Sequence, residues 1–152
     1  MKQESSQQQR IRQLTDSNKA LARRALEFWA SDNQDDIAEV FSADYINHQE
    51  PSIEGDVKHL GLAGWMTLVA GHHAAFSESR VRIIMQIAEG DLVATRWEFT
   101  VKHTGSYIGY QPTGKTAIWT GIEIDRIADG KIVESWVDWD KYRQLEMLGI
   151  IG

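Results

Sequence analysis

Apolar residues recur at steps of three and four through the first half of this chain and alternate with polar ones through the second. Leu14, Leu21, Ala25 and Phe28 follow the helical period, with Asn18 on the same face and Trp29 beside it. Asp16 or Ser17 is placed to cap the helix they predict, which should end near Ser31-Asp32-Asn33. Asp35-Asp36 opens a short second helix with Ile37, Val40 and Phe41 inward. Residues 44–48 read as a short extended piece and 51–61 as a loop. A third helix, over 62–75, carries Leu62, Met66, Val69, His73 and Phe76 along one face. From residue 80 the period changes to two. Residues 80–88 and 92–103 read as strands joined by a turn at Glu89-Gly90-Asp91, the second with Val93, Thr95, Trp97, Phe99 and Val101 on one side. A loop over 104–114 leads to a strand over 116–127. Ile118, Ile122 and Ile124 share one parity there; Trp119, Gly121, Glu123 and Asp125 take the other. Asp129-Gly130 makes a hairpin turn, because glycine accepts the positive φ such turns require. A last strand over 131–140 follows. Tyr142, Leu145 and Leu148 then space a closing helix that Gly149 would stop. Helices first and then a strand meander predict an α+β fold: one curved antiparallel sheet with helices packed on one face.

Composition narrows the class. The 152 residues suit a single domain with a substantial core. Residues 15–152 read as that domain, and the Gln/Ser-rich stretch 1–14 as a flexible or loosely helical extension. A net charge of −6, with no basic stripe, argues against nucleic acid or an anionic membrane as partner. There is no cysteine, hence no disulfide or thiol chemistry. No apolar stretch reaches membrane length and no hydrophobic leader is present at the N-terminus, so a cytoplasmic location is the expectation. The two strands over 116–127 and 131–140 carry large apolar residues on both parities. One face can cover a pocket and the other then calls for a partner, which predicts a homodimer built on the outer face of the sheet.

One motif misleads. Gly109-Tyr-Gln-Pro-Thr-Gly-Lys-Thr116 fits the phosphate-binding pattern GxxxxGK[ST]. That loop works by delivering the phosphates to the first N–H groups of a helix. Here the following residues are β-branched and read as a strand, so no nucleotide site is predicted.

The candidate chemistry centres on Glu123, a charge between Ile122 and Ile124 in mid-strand. Facing an apolar pocket, its carboxyl would hold its proton to higher pH and suit general acid–base work; the alternative is a strand salt bridge to Arg96 or Arg126. Its companion depends on hairpin register. A two-residue turn puts Glu123 on one face with Trp136 and Asp138; a three-residue turn with a glycine bulge puts it with Ser135, Val137 and Trp139. Asp138 is a catalytic candidate under the first register, and Asp140 reads as the cap of the final helix. Trp29, Trp97 and Trp119 stand where they would face a pocket. Asn47 and His48 either hydrogen-bond a ligand carbonyl or close a turn, and His103 either donates at a pocket rim or orients its loop. Of His72 and His73, one should be core and the other surface. The five histidines show no metal-ligand spacing, and no metal site is predicted.

Several of these stretches together resemble the SnoaL-like polyketide cyclase family. They are Asp44-Tyr-Ile-Asn47, Phe76 after the third helix, His103-Thr-Gly-x-x-x-Gly109-x-x-Pro-Thr-Gly-Lys115, Arg126-Ile-x-Asp-Gly-Lys-Ile-x-Glu134 and Leu148-Gly149. The resemblance spans residues 16–149. It implies the cone-shaped α+β barrel of nuclear transport factor 2-like proteins, with three N-terminal helices, a short C-terminal helix and a deep apolar pocket for a small molecule. It also implies ring closure by intramolecular aldol condensation, with side-chain acid–base chemistry and no cofactor. The family's best-known cyclases use an Asp on the last strand and a His on the strand before. Aligned without gaps, those positions fall on Val137 and Glu123, so Val137 would border the ligand and Glu123 would take the histidine's place.

Overall fold

The computed structural model describes residues 3–49 and 60–152 of the chain. The elements run α1 (Ser6–Glu27), α2 (Ile37–Val40), β1 (Phe41–Gln49), β2 (Leu60–Gly61), α3 (Leu62–Ala75), β3 (Phe76–Glu89), β4 (Leu92–His103), β5 (Thr116–Ala128), β6 (Lys131–Trp139) and α4 (Lys141–Met147). This is the α+β class read from the sequence. Most of the loop read over 51–61 lies outside the described residues. No described helix is long and apolar enough to cross a membrane.

Helix α1 starts earlier than its apolar period. Ser5 accepts from the Gln8 N–H while the Gln8 side chain accepts from the Ser5 N–H, a reciprocal cap that fixes the first turn. Asp16 and Ser17 therefore lie mid-helix. Residues 5–14 are all exposed, and burial begins at Asn18, Ala22, Ala25 and Leu26. Helix α3 spans the predicted residues, but its buried side is Trp65, Val69, His72 and Ala75, and Met66 is exposed. Asp140 caps α4, accepting from the Arg143 N–H at 3.0 Å.

Among the described residues the sheet has six strands in the order β2-β1-β6-β5-β4-β3 and does not close on itself. It is mixed rather than antiparallel, because β1 runs parallel to β6. The sequence shows β1 as an extended piece; its partner, some ninety residues away, leaves no local signal. Extra residues bend the sheet. Strand β3 slips register against β4 between Ser77 and Arg80 and again between Ile83 and Met85, with Glu78 at φ 53°.

The β5–β6 hairpin combines both registers considered from the sequence. Ala128 pairs with Lys131, so the turn is the two-residue Asp129-Gly130, with φ of 51° and 74°. A bulge follows at once: Ile127 pairs with Ile132, but Arg126 pairs with Glu134, leaving Val133 as the extra residue. Beyond it the ladder runs Asp125–Ser135 and Glu123–Val137. One residue in β6 thus turns Ser135, Val137 and Trp139 to the side of Glu123 and Asp138 to the other.

Strand β5 reverses the usual sorting. Ala117, Trp119, Glu123, Asp125 and Ile127 are buried, whereas Ile118, Ile122 and Ile124 are exposed on the outer face. The inner face packs in two clusters. One gathers Phe28, Phe41, Tyr45, Trp65 and Val69; the other gathers Phe76, Trp97, Phe99, Trp119 and Leu148.

Candidate active site

A cavity of about 330 Å³ lies between the inner face of the sheet and the helices. Its walls are Leu26 and Trp29 from the end of α1, Trp65, Leu68 and His72 of α3, Phe76, Trp97, Phe99, Trp119, Val137 and Trp139 of the strands, and Ser106, Tyr107 and Ile108 of the β4–β5 loop. Five of the six tryptophans line it; Trp136 faces outward. The loop is held in place by α3: the Thr104 and Gly105 N–H groups donate to the Ala75 carbonyl at 3.1 and 2.9 Å. Gly105 is required there, since a Cβ would stand 1.9 Å from the Ala74 carbonyl oxygen. Gly121 plays a similar part inside, where a Cβ would meet the Trp97 ring at 2.3 Å; its absence lets the indole lie across the sheet.

Glu123 brings the carboxyl to this aromatic wall. Burial, then the charge of neighbouring Asp125, raise its carboxyl well above the ordinary range. Neither Arg96 nor Arg126 answers it. Arg126 instead binds Glu134 on the outer side, Nη2 to Oε2 at 2.9 Å. Asp125 is fully buried behind Glu123, one pleat along β5 and outside the cavity. Burial pushes its carboxyl up to about 6, against the opposing hydrogen bonds from Ser135 and Glu123. The Ser135 hydroxyl donates to Asp125 Oδ1 at 2.5 Å. Tyr45 lies within hydrogen-bonding reach of Ser135.

Other polar groups on the wall are donors or neutral. Gln144 Oε1 accepts from Trp139 Nε1 at 3.1 Å and from the Tyr107 hydroxyl at 3.4 Å, which orients the amide and leaves its NH₂ to donate. Trp97 Nε1–H is buried without an acceptor. His72 is held neutral: burial, then His73, push its imidazolium pKa down to about 3, and its Nε2 meets Ser79 Oγ at 3.1 Å. Among the described residues, no group of three or more His, Asp or Glu is placed to hold a metal ion.

Of the residues singled out from the sequence, Trp29, Trp97, Trp119, Glu123 and Val137 meet at the cavity. Asn47, His48, His103 and Asp138 do not border it. Asn47 is buried beside the cavity, donating from Nδ2 to Gln49 Oε1 at 3.0 Å, and Gln49 itself reaches the wall. His48 lies on the outer side, 2.7 Å from Glu134 Oε1 and stacked on Trp136. His103 is buried and orients its loop, its Nδ1 accepting from the Thr113 N–H at 3.2 Å. Asp138 is exposed, opposite Ile122. Gln144, His72, Tyr107 and Asp125 were missed. Asp125 shares Glu123's parity, so its side of the strand was legible; the others come from elements whose approach to the cavity is a matter of packing.

The β5 strand after Lys115 also decides the glycine-rich motif. Thr116 opens a strand, so no helix N-terminus receives the loop.

Comparison with known proteins bears on the family and the fold. The family model for SnoaL-like polyketide cyclase matches residues 19–148. The chain belongs to this family. Among SnoaL-like relatives, the aklanonic acid methyl ester cyclase DnrD of Streptomyces peucetius is 27% identical over 132 residues, spanning 82% of this chain and 88% of that one. The crystal structure of AclR, a proposed hydroxylase from Streptomyces galilaeus, is 30% identical with a TM-score of 0.73, covering 91% of this chain and 88% of AclR. IdmH, a proposed polyketide cyclase from Streptomyces antibioticus, superimposes with a TM-score of 0.76 over 87% of this chain and 98% of its own. At 24% identity that likeness speaks for the fold alone. The SnoaL-like fold, with its nuclear transport factor 2-like layout of helices over one face of a bent sheet, is thus common to this chain and both solved structures.

Proposed function

We propose that this protein is a cyclase acting on a neutral, aromatic polyketide carbonyl compound, with Glu123 as its acid–base group. The observation that carries the reading is the Glu123 carboxyl, buried and opening onto a cavity walled by five tryptophans. A flat aromatic substrate would stack there. Glu123 would remove the proton α to one carbonyl, the resulting enolate carbon would attack a second carbonyl of the same molecule, and the new alkoxide would take the proton back from Glu123. The Gln144 amide and the unpartnered Trp97 Nε1–H are donors suited to the carbonyl oxygens. Filling the Trp97 position with a ligand acceptor would also satisfy a buried polar group. No Arg or Lys borders the cavity among its described lining residues, which suits an ester better than a free acid.

The test uses aklanonic acid methyl ester, the substrate named for the curated relative. The chain should convert it to an isomer of unchanged mass, and Glu123→Gln should lower kcat by about a hundredfold, the usual cost of a lost general acid–base group. Binding without conversion by the wild type would sink the enzymatic reading and leave a pocket protein.

A second reading has an observation of its own in the 30% identity to AclR. Proton removal next to a carbonyl would begin a hydroxylation as well as a cyclisation. The product and the co-reactants separate them: hydroxylation would need dioxygen and a two-electron reductant added to the assay, and yields a compound heavier by one oxygen.

A further inference from the structure

Glu123 alone poses a chemical difficulty. A single carboxyl buried against apolar walls holds its proton at neutral pH, so it is an acid and no base. The aldol sequence needs the base first. The structure supplies a second site for that proton. Asp125 follows Glu123 on the same face of β5 and is wholly buried. Its Oδ1 accepts from Ser135 Oγ at 2.5 Å. Its Oδ2 has no hydrogen-bond donor among the fixed donors around it. The Glu123 carboxyl, buried two residues before it on the same face of β5, is the neighbouring group that can fill that vacancy, and only when it carries a proton.

We propose that Glu123 and Asp125 share one proton, and that Asp125, anchored by Ser135, is a positioning residue that frees Glu123 to act as a base. This rests on the acid–base reading of Glu123 given above. The pair carries one negative charge, because two adjacent buried carboxylates cannot both ionise without strong repulsion. In the resting pair the proton sits on Glu123 and bridges to Asp125 Oδ2. When it moves fully to Asp125, Glu123 is ionised and faces the substrate. Glu123 then takes the α-proton; the C–H electron pair stays on the carbon as the enolate, and the carboxyl pair becomes neutral. The enolate carbon bonds to the second carbonyl carbon, whose π electrons become the alkoxide. That oxygen takes the proton from Glu123, and the pair returns to one proton and one charge. Nothing is consumed.

The surroundings fit a pair that must stay singly charged. Tyr45 of β1 and Ser135 of β6 face Asp125, and Thr95 of β4 pairs with Glu123, its Oγ1 engaged by Gln86 of β3 at 3.1 Å. His72 of α3 and Tyr107 of the loop are the other titratable groups on the cavity, and both are uncharged at neutral pH. No cation among these groups drives the second ionisation.

The experiment is a carboxyl titration of the ligand-free full chain, by carbon NMR with labelled Asp and Glu, on wild type, Asp125→Asn and Ser135→Ala. The wild type should show two separated steps for this pair, the first near pH 6 and the second far above. Asp125→Asn should leave one step. Ser135→Ala, which keeps both carboxyls but removes the anchor, should keep two steps and move the first to higher pH. In turnover, Asp125→Asn should lower kcat by about tenfold with KM little changed, and should shift the acid limb of the kcat profile away from that of the wild type. Loss of both protons in one step at ordinary carboxylate pH overturns the inference. So does an Asp125→Asn variant whose pH profile matches the wild type. Two steps in a protein that turns over nothing would uphold the shared proton and overturn the enzymatic reading.

Discussion

Glu123 lies opposite Val137 across the β5–β6 ladder, and Asp138 lies opposite Ile122 on the other side of the sheet. The bulge at Val133 makes that difference. Without the extra residue, Asp138 would share a face with Glu123; with it, Glu123 finds Ser135, Val137 and Trp139 instead. Asp138→Asn is therefore expected to leave kcat and KM within about twofold of wild type, since the side chain never reaches the cavity wall. A loss comparable to that of Glu123→Gln would place the reacting centre on the outer face and overturn the site.

Stability should carry the mark of the buried pair. Both carboxyls are raised in the folded state, so the native protein holds protons that the unfolded chain has released. A raised carboxyl contributes stability that is complete below its unfolded pKa and lost as pH rises through its folded value. For Asp125 that window runs from its ordinary 3.8 up to about 6, and Glu123 extends it upward. Glu123→Gln with Asp125→Asn removes this term. The double variant should gain on the wild type between pH 4 and pH 7, by an amount on the order of a few kcal/mol. Thermal melts across that range check it; a difference that stays flat or shrinks with pH would contradict the buried pair.

A homodimer is expected from the outer face. Ile46, Ile118, Ile122, Ile124 and Trp136 are each between 36% and 46% exposed there, more apolar surface than a strand face keeps in water without a partner. Light scattering at micromolar concentration should give twice the chain mass, and Ile122→Asp should halve it while leaving ligand binding intact. A monomeric wild type would refute this.

No nucleotide should bind at the loop ending in Gly114-Lys115. The loop feeds strand β5, and the Lys115 side chain lies along Gly149, where a Cβ would meet its Nζ at 2.8 Å. Magnesium ATP should shift the melting temperature of neither wild type nor Lys115→Ala. A wild-type shift abolished by the substitution would argue for a phosphate site after all.

The strands and helices were legible because burial writes its period into the sequence, as in the unbroken alternation of β4 from Val93 to Val101. The start of α1 was not, because its first turns bury nothing and leave no apolar period; the signal was the Ser5–Gln8 cap. The sheet's mixed character was hidden for another reason. Alternation shows that 41–49 is a strand and says nothing of which strand it joins. At the site, Glu123 stood out as a charge among isoleucines. Asp125 stood beside it on the same parity, yet its importance depends on Tyr45 and Ser135, which only the β1–β6–β5 order brings together. Gln144 was masked by the regular spacing of Tyr142, Leu145 and Leu148; Tyr142 is in fact 65% exposed, and Gln144 takes the inner side.

The parallel contact between β1 and β6 also sets an order of events during folding. His48 and Glu134, joined across it, are 86 residues apart, whereas β3 to β6 form a meander of short connections. Closing the longer loop costs more chain entropy, so the meander should assemble first and β1 dock late. Hydrogen exchange during refolding should protect β4 and β5 amides before those of β1. Tyr45 arrives with β1, so the carboxylates of β5 are closed in on that side only at the end. The nascent protein would carry its acidic residues through most of folding while they are still open to water, and bury them in the final step.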